Sequence, residues 1–354
     1  MDTDKQKQNR QTWLGILVSV LCLAAIFFFI KPQEMIEALK TARYDYLIFT
    51  ALGIIFFLVF RAVRWRFMLN NEAPYGQVFH IQNIGYMLTM LLPLRIGDVA
   101  RAILIGNVPP VTLSRGISTM VVERLLDMIF MVTILPFTLA EVGTLPPQFQ
   151  EVARLFGFAA VAGIVVLIVA ANQRPLAMRI ARIILSRIHF LDTDKWVNQI
   201  DELLAGLSSL TRLKDGLILA ALSVLVWLPI IFAYYMALRA ANIQPTIPMT
   251  LLTIVAAAFS VAAPSSPGQI GVFHAGVTFA LIEVLGQPAP EALSFAVLYH
   301  AINTLTLIMM GFVGLFGAGV TFGNVVATTQ TFMRRKEHDE PPNYVKPCLQ
   351  VYND

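Results

Sequence analysis

Long apolar segments separated by short polar connections dominate this sequence and leave few folds open to it. Residues Trp13 to Ile30 form an 18-residue run without a charged side chain, which is long enough to cross the hydrocarbon core of a bilayer. Further apolar segments lie at 46–60, 79–94, 117–140, 155–171, 217–238, 250–263, 270–285 and 293–322. Only 14% of the residues are charged, against about 25% in soluble domains. We therefore expect an all-α, polytopic membrane protein.

The first apolar run follows three basic residues, as the core of a secretory signal peptide does. No small-residue cleavage site comes after it, because the next residues are Lys31-Pro32-Gln33. The sequence therefore predicts an uncleaved first helix.

Basic residues are unevenly distributed among the polar connections. Lysine and arginine concentrate in the N-terminus, in 61–66, in 172–215 and in the C-terminal tail, whereas 141–154 and 239–249 carry one each. Loops rich in these residues stay in the cytoplasm. The distribution predicts a multi-pass protein of the cytoplasmic membrane with both termini on the cytoplasmic side. It also argues against a nucleic-acid partner, because the basic residues lie at membrane edges.

Two Pro-x-x-Ile-Gly segments, Pro93–Gly97 and Pro267–Gly271, interrupt apolar stretches. The orientation of the flanking loops requires each stretch to return to its own side, so we expect two hairpins that enter from opposite faces. Broken helices at corresponding positions of two halves are typical of transporter substrate sites. The prediction is about six full transmembrane helices plus two oppositely oriented re-entrant hairpins. Two ordinary helix pairs with proline kinks are the alternative.

Helix-start signals accompany both segments. Ser266 is a suitable N-cap and Pro267 suits a first helical position, which predicts a helix that begins at Pro267. Pro93 predicts a helix start in the same way. The free N–H groups of such helix ends attract anions.

The polar stretch 173–215 contains arginines that alternate with aliphatic residues, and it predicts a basic amphipathic helix on the inner leaflet. A solvated loop with scattered charge is the alternative. The predicted organisation is an integral membrane domain over 1–330 and a cytoplasmic, disordered tail over 331–354.

Charged residues inside a membrane are costly, so those in the apolar segments are candidates for a functional site. Glu123 and Asp127 are four residues apart on one helix face and repel each other unless a cation intervenes. Arg101, Arg61 and Arg64 are the candidate cations. The functional interpretation is a polar cavity for a charged headgroup; the alternatives are a purely structural ion-pair cluster and, for Arg61 and Arg64, interface anchoring. The candidate substrate-binding residues of this first half are Arg61, Arg64, Arg95, Asp98, Arg101, Glu123, Arg124 and Asp127.

The second half offers fewer polar groups. Its candidate residues are Ser265, Ser266, Gly268, His274 and His300. Two histidines alone are a weak metal site, and the two cysteines, Cys22 and Cys348, are too far apart in the chain to build one from thiols. No Ser-His-Asp set or nucleotide motif occurs either. We therefore expect no metal, no cofactor and no enzymatic activity.

Four segments together resemble the membrane domain of lysylphosphatidylglycerol synthases, a family of flippase-like proteins. They are Arg61-x-x-Arg64-Trp65, Leu92–Arg101, Glu123–Asp127 and Pro264–Gly271. The resemblance covers about residues 10–325 and implies a lipid-translocating domain. Where many members carry Glu and Arg, this chain has His274 and His300, which argues against a cationic, lysyl-type substrate. The chain is expected to be a stand-alone member without the soluble synthase domain.

The predicted function is translocation of a polar phospho- or glycolipid between leaflets through a central polar cavity. The expected partners are membrane lipids with an anionic phosphate headgroup, with a second copy of the chain or a separate lipid-modifying enzyme as further possibilities. Two alternative functions stay open: a carrier for a small soluble anion, and a membrane anchor for such an enzyme.

Overall fold

The computed structural model describes residues 32–92, 96–140, 173–186, 213–262 and 267–336, together with the single residues 151, 155, 158, 162 and 197. Every regular element in this part of the chain is helical. The helices are α1 (Pro32–Lys40), α2 (Asp45–Met68), α3 (Tyr75–Leu91), α4 (Ile96–Gly106), α5 (Leu113–Ala140), α6 (Arg174–Leu185), α7 (Leu213–Ala240), α8 (Ile247–Ala262), α9 (Val272–Phe279), α10 (Ala289–Ala318) and α11 (Phe322–Lys336). A 3₁₀ turn at Pro267–Gln269 precedes α9, and a π turn at Ala280–Val284 extends it.

Three stretches among the described residues are long and apolar enough to cross a membrane: Asp45–Met68, Lys214–Ala240 and Ala289–Ala318. They correspond to α2, α7 and α10, and their side chains contribute to one continuous apolar core. The predicted span at 117–140 is helical, as part of α5, but it contains Glu123, Arg124 and Asp127 and is not one of these three stretches. The predicted spans at 13–30 and 155–171 lie outside the described residues, apart from three single positions in the latter.

The first Pro-x-x-Ile-Gly segment lies between two packed helices. α3 and α4 contact each other and are joined by residues 92–95. Gly97 lies in the first turn of α4, where a Cβ atom would overlap the carbonyl oxygen of Gly85 and the side chain of Thr89. Glycine at this position therefore allows the two helices to approach closely. At 17 and 11 residues, the helices measure about 25 Å and 16 Å at a rise of about 1.5 Å per residue.

The second Pro-x-x-Ile-Gly segment lies between α8 and α9, which also pack together. The predicted helix start at Pro267 is wrong. Pro267 opens only the short 3₁₀ turn, and the longer helix begins at Val272. The interruption arises because Gly268 and Gly271 have φ angles of 70° and 87°, a region that right-handed helices exclude.

The apolar segment 293–322 is one helix, α10, as far as Ala318, and its last residue, Phe322, begins α11. α10 ends where Gly319 adopts a left-handed conformation with a φ of 64°, and the Val320 N–H donates to the Leu315 carbonyl. This is the hydrogen-bond pattern of a glycine C-cap. α11 then runs to Lys336, so helix continues past the predicted domain boundary at residue 330. Residues 337–354 of the predicted tail lie outside the described residues.

α6 falls within the stretch predicted to form a basic amphipathic helix. Arg179, Arg182 and Ile183 are exposed, while Ala177 and Met178 pack against the apolar cluster around Trp65. Arg187 and His189, which the same pattern included, lie outside the described residues.

Candidate functional site

Five charged side chains from three helices form a cluster in which four are buried and Asp127 is 16% exposed. Arg61 contacts both carboxylates, at 2.6 Å from Glu123 and 2.6 Å from Asp127. Arg101 lies 3.1 Å from Glu123, and Arg64 lies 2.9 Å from Asp127. All three candidate arginines therefore contact the carboxylate pair. We call Arg61, Arg64, Arg101, Glu123 and Asp127 the buried ion cluster.

The helices bring these side chains together through their spacing. Arg61 and Arg64 are three residues apart on α2, and Glu123 and Asp127 are four apart on α5, so each set shares one helix face. α5 begins at Leu113, four residues before the predicted segment. Glu123 consequently lies about three turns into the helix rather than in its first turns, and it is 1% exposed.

Aromatic rings enclose the guanidinium groups of the cluster. The Arg101 guanidinium carbon lies 4.3 Å from the ring centre of Trp65 and 5.4 Å from that of Tyr86. The Tyr86 ring also faces Arg61, at 5.8 Å. Such stacking stabilises a desolvated cation. The Trp65 indole N–H donates to the Thr119 hydroxyl at 3.0 Å, which fixes its orientation.

Arg61 and Arg64 do not anchor the protein at the membrane interface, which was the alternative interpretation for them. Arg61 is 4% exposed, and Arg64 and Trp65 are fully buried within the protein. Arg66, on the opposite face, donates instead to the Ala73 carbonyl at the helix end.

Asp98 and Arg124 form a separate pair beside the cluster. The Arg124 guanidinium lies 3.0 Å from the Asp98 carboxylate, and both side chains are partly exposed. This pair joins α4 to α5 and is neutral, so it leaves the charge of the buried ion cluster unchanged. Arg95 lies outside the described residues.

The second-half candidates meet at the start of α9. The ring centres of His274 and His300 are 4.8 Å apart. The Gly271 N–H donates to His274 Nδ1 at 3.4 Å. Gly268 itself is buried. Ser265 and Ser266 lie outside the described residues.

The turn of the second hairpin lies against the first hairpin. Pro267–Gln269 packs against α3, and a Cβ atom on Gly268 would be 3.5 Å from the Met90 carbonyl oxygen. Met90 is three residues before Pro93. The histidine pair is therefore close to the end of α3 that leads into the first interruption.

Sequence reasoning missed several residues around these groups. Tyr86 lies between two arginines, and Gly85 provides the surface on which the aliphatic part of Arg101 packs. Gln82 and Asn83 are fully buried on the same helix. One signal could have pointed to them: Gln82, Asn83, Gly85 and Tyr86 lie close together within the apolar segment 79–94.

These features define a polytopic helical membrane protein with a buried ionic cluster and two interrupted helix pairs. The family model described as the lysylphosphatidylglycerol synthase TM region matches residues 12–311. The chain belongs to this family. Comparison with curated proteins and with solved structures gives no match.

Proposed function

We propose that this protein translocates polar lipids with an anionic phosphate headgroup between the leaflets of the cytoplasmic membrane. Membership of a family defined on a lipid-synthase membrane region supports a lipid-related role. The observation that carries the proposal further is the charge of the buried ion cluster. Three guanidinium groups face two carboxylates, which leaves one formal positive charge away from bulk water.

A net charge at such a site favours an anionic ligand, because an uncompensated buried cation is costly. Hydrogen-bonding capacity points the same way. Arg64 Nε, Arg101 Nε and the Tyr86 hydroxyl are buried and have no hydrogen-bond partner in the described part of the chain. All three can donate, and phosphate oxygens are strong acceptors that pair well with guanidinium groups.

The proposed transport path follows the two interrupted helix pairs. In this proposal α3–α4 and α8–α9 are re-entrant hairpins from opposite faces, and both termini are cytoplasmic. The lipid headgroup passes between the hairpin turns while its acyl chains stay in the bilayer. Alternating exposure arises when one hairpin-bearing half rocks against the other. The protein acts as a transporter without enzymatic chemistry.

The decisive experiment separates the charge of the cluster from its structural role. Arg64→Gln removes one cation, yet Arg61 still contacts both carboxylates, so the cluster becomes neutral while every carboxylate stays paired. We expect folded protein with translocation of fluorescent phosphatidylglycerol in proteoliposomes reduced at least tenfold. Arg115→Ala is the matched control, because it removes an arginine of a partly exposed pair with Glu72.

Translocation at the wild-type rate by Arg64→Gln would contradict the role of the cluster charge. Absence of protein-dependent translocation of phosphatidylglycerol, with soluble glycerol phosphate transported instead, would contradict the lipid proposal.

A further inference from the structure

The histidine pair of the second hairpin differs from the buried ion cluster because it carries no fixed charge. His274 Nδ1 accepts the Gly271 N–H. A ring nitrogen that accepts a hydrogen bond holds no proton of its own. This arrangement is the one that a neutral imidazole with its proton on Nε2 makes.

The pair also contacts the interrupted backbone. His274 accepts the Gly271 N–H directly before α9, and the His300 ring lies 4.8 Å from the His274 ring. Protonation of His274 Nδ1 would replace an acceptor by a donor and break its bond to Gly271. The protonation state of the pair is thereby linked to the position of the second hairpin turn.

The surroundings of the pair are mostly aromatic. Phe273 lies 5.4 Å from His300 between ring centres, and Tyr299 stacks on Phe273 at 5.8 Å. The nearest carboxylates in the sequence are Glu283, nine residues from His274, and Glu291, nine residues from His300, or about 13 Å along a helix.

Among the elements packed against this site, α8 has no titratable or charged residue, and the π turn has Glu283. The other helices carry the following titratable or charged residues: Glu34, Glu37 and Lys40 in α1; Asp45, Tyr46, Arg61, Arg64 and Arg66 in α2; Tyr75, His80 and Tyr86 in α3; Lys214, Asp215, Tyr234, Tyr235 and Arg239 in α7; and Glu291 and Tyr299 in α10 itself. Among the described residues, no carboxylate forms an ion pair with either histidine.

A proton added to the pair would thus create a buried cation without an anionic partner in the described structure. Such a charge is unfavourable alone and favourable beside a bound anion. We propose that His274 and His300 bind one proton together with the anionic headgroup, as the coupling ion of the transport cycle. This inference rests on the proposed function.

Thermodynamic linkage makes the proposal quantitative. If headgroup binding favours protonation, protonation favours headgroup binding by the same factor. One linked proton allows affinity to increase by up to about tenfold for each unit of pH decrease. Histidine is suited to this role because it commonly changes charge between about pH 5 and pH 8.

The test measures binding of short-chain phosphatidylglycerol to the full-length protein in phosphatidylcholine nanodiscs, from about pH 5 to pH 8. The informative variant is His274→Asn, whose amide oxygen can accept the Gly271 N–H but cannot titrate. His300→Gln is the second variant. His80→Asn is the matched control, since His80 is another membrane histidine but contacts Gly317 of α10.

We expect wild-type and His80→Asn affinities to rise toward acidic pH, and both pair variants to lose most of that dependence. A pH-independent wild type, or His274→Asn with the wild-type slope, would overturn the proton site while leaving lipid binding intact. Absence of phosphatidylglycerol binding at every pH would instead contradict the proposed function together with this inference. A parallel titration with soluble glycerol phosphate distinguishes a lipid headgroup from a free anion. If glycerol phosphate binds as tightly as phosphatidylglycerol and with the same pH dependence, the proton site is supported but the substrate is a soluble anion.

Discussion

Glu123 is the residue whose removal should most destabilise the buried ion cluster. It accepts four hydrogen bonds, two from Arg61 and two from Arg101. Arg61 keeps Asp127 when Glu123 is lost, but Arg101 has no other carboxylate contact among the described residues. The substitution Glu123→Gln therefore leaves a guanidinium that is 1% exposed without a counter-charge.

Loss of one partner from a buried pair commonly costs about 3–5 kcal/mol, and we expect Glu123→Gln to fall in this range. Arg64→Gln should cost less, about 1.5–3 kcal/mol, because it removes the hydrogen bond to Asp127 and a longer one to Ser223 but leaves Asp127 paired with Arg61. Arg101→Ala should also cost less than Glu123→Gln. Its loss leaves both carboxylates paired, because Arg61 still contacts Glu123 and Arg64 still contacts Asp127.

The assay is equilibrium unfolding in mixed detergent micelles, followed by tryptophan fluorescence. The deciding variant is the double substitution Glu123→Gln/Arg101→Met, which removes the stranded cation as well. It should be more stable than Glu123→Gln alone, with an interaction energy of about 0.5–3 kcal/mol between the two sites. A double variant less stable than Glu123→Gln would refute the charge argument and indicate that packing of Arg101 against Trp65 dominates.

Two further predictions concern the hairpins and the topology. Gly97→Ala should lower the free energy of unfolding by about 1–3 kcal/mol through overpacking, because the added Cβ would overlap Gly85 and Thr89. Gly76→Ala is the control and should cost little, because nothing lies within 4 Å of its added Cβ. Equal unfolding free energies for the two variants would contradict the close approach of α3 and α4. A cysteine introduced at position 145 should react with an impermeant thiol reagent only from outside, and one introduced at position 180 only from the cytoplasm. Labelling of position 145 from the cytoplasm alone would refute the topology.

Much of the fold follows from hydrophobic patterning. The apolar segments at 46–60 and 217–238 lie within α2 and α7, because a charge-free run of this length has few alternatives to a helix. Helix ends were less predictable. Pro267 has the features of a helix start, yet Gly268 and Gly271 adopt positive φ angles that delay the helix to Val272. Backbone conformation at glycine is set by tertiary packing, which one sequence does not reveal.

The buried ion cluster was partly predictable from the charged residues within the apolar segments. Two carboxylates four residues apart in an apolar helix require cations nearby, and the sequence offers few. The identity of the central cation was not predictable, because Arg61 and Arg101 have the same charge and differ only in how α2 and α4 meet α5. Tyr86 carried no charge signal, although its ring faces both arginines.

The two Pro-x-x-Ile-Gly segments have similar sequences but different physical roles. Gly97 lacks a side chain so that α4 can pack on α3, whereas Gly271 lacks one so that the backbone can adopt a φ of 87° before α9. The ionisable residues near them differ as well: Arg101 follows Gly97 on α4, whereas His274 follows Gly271 on α9. In the proposed function the headgroup lies between the two hairpins, with permanent charge on one side and titratable charge on the other. On that proposal, binding of a single proton changes the affinity for the anion without any change of residues.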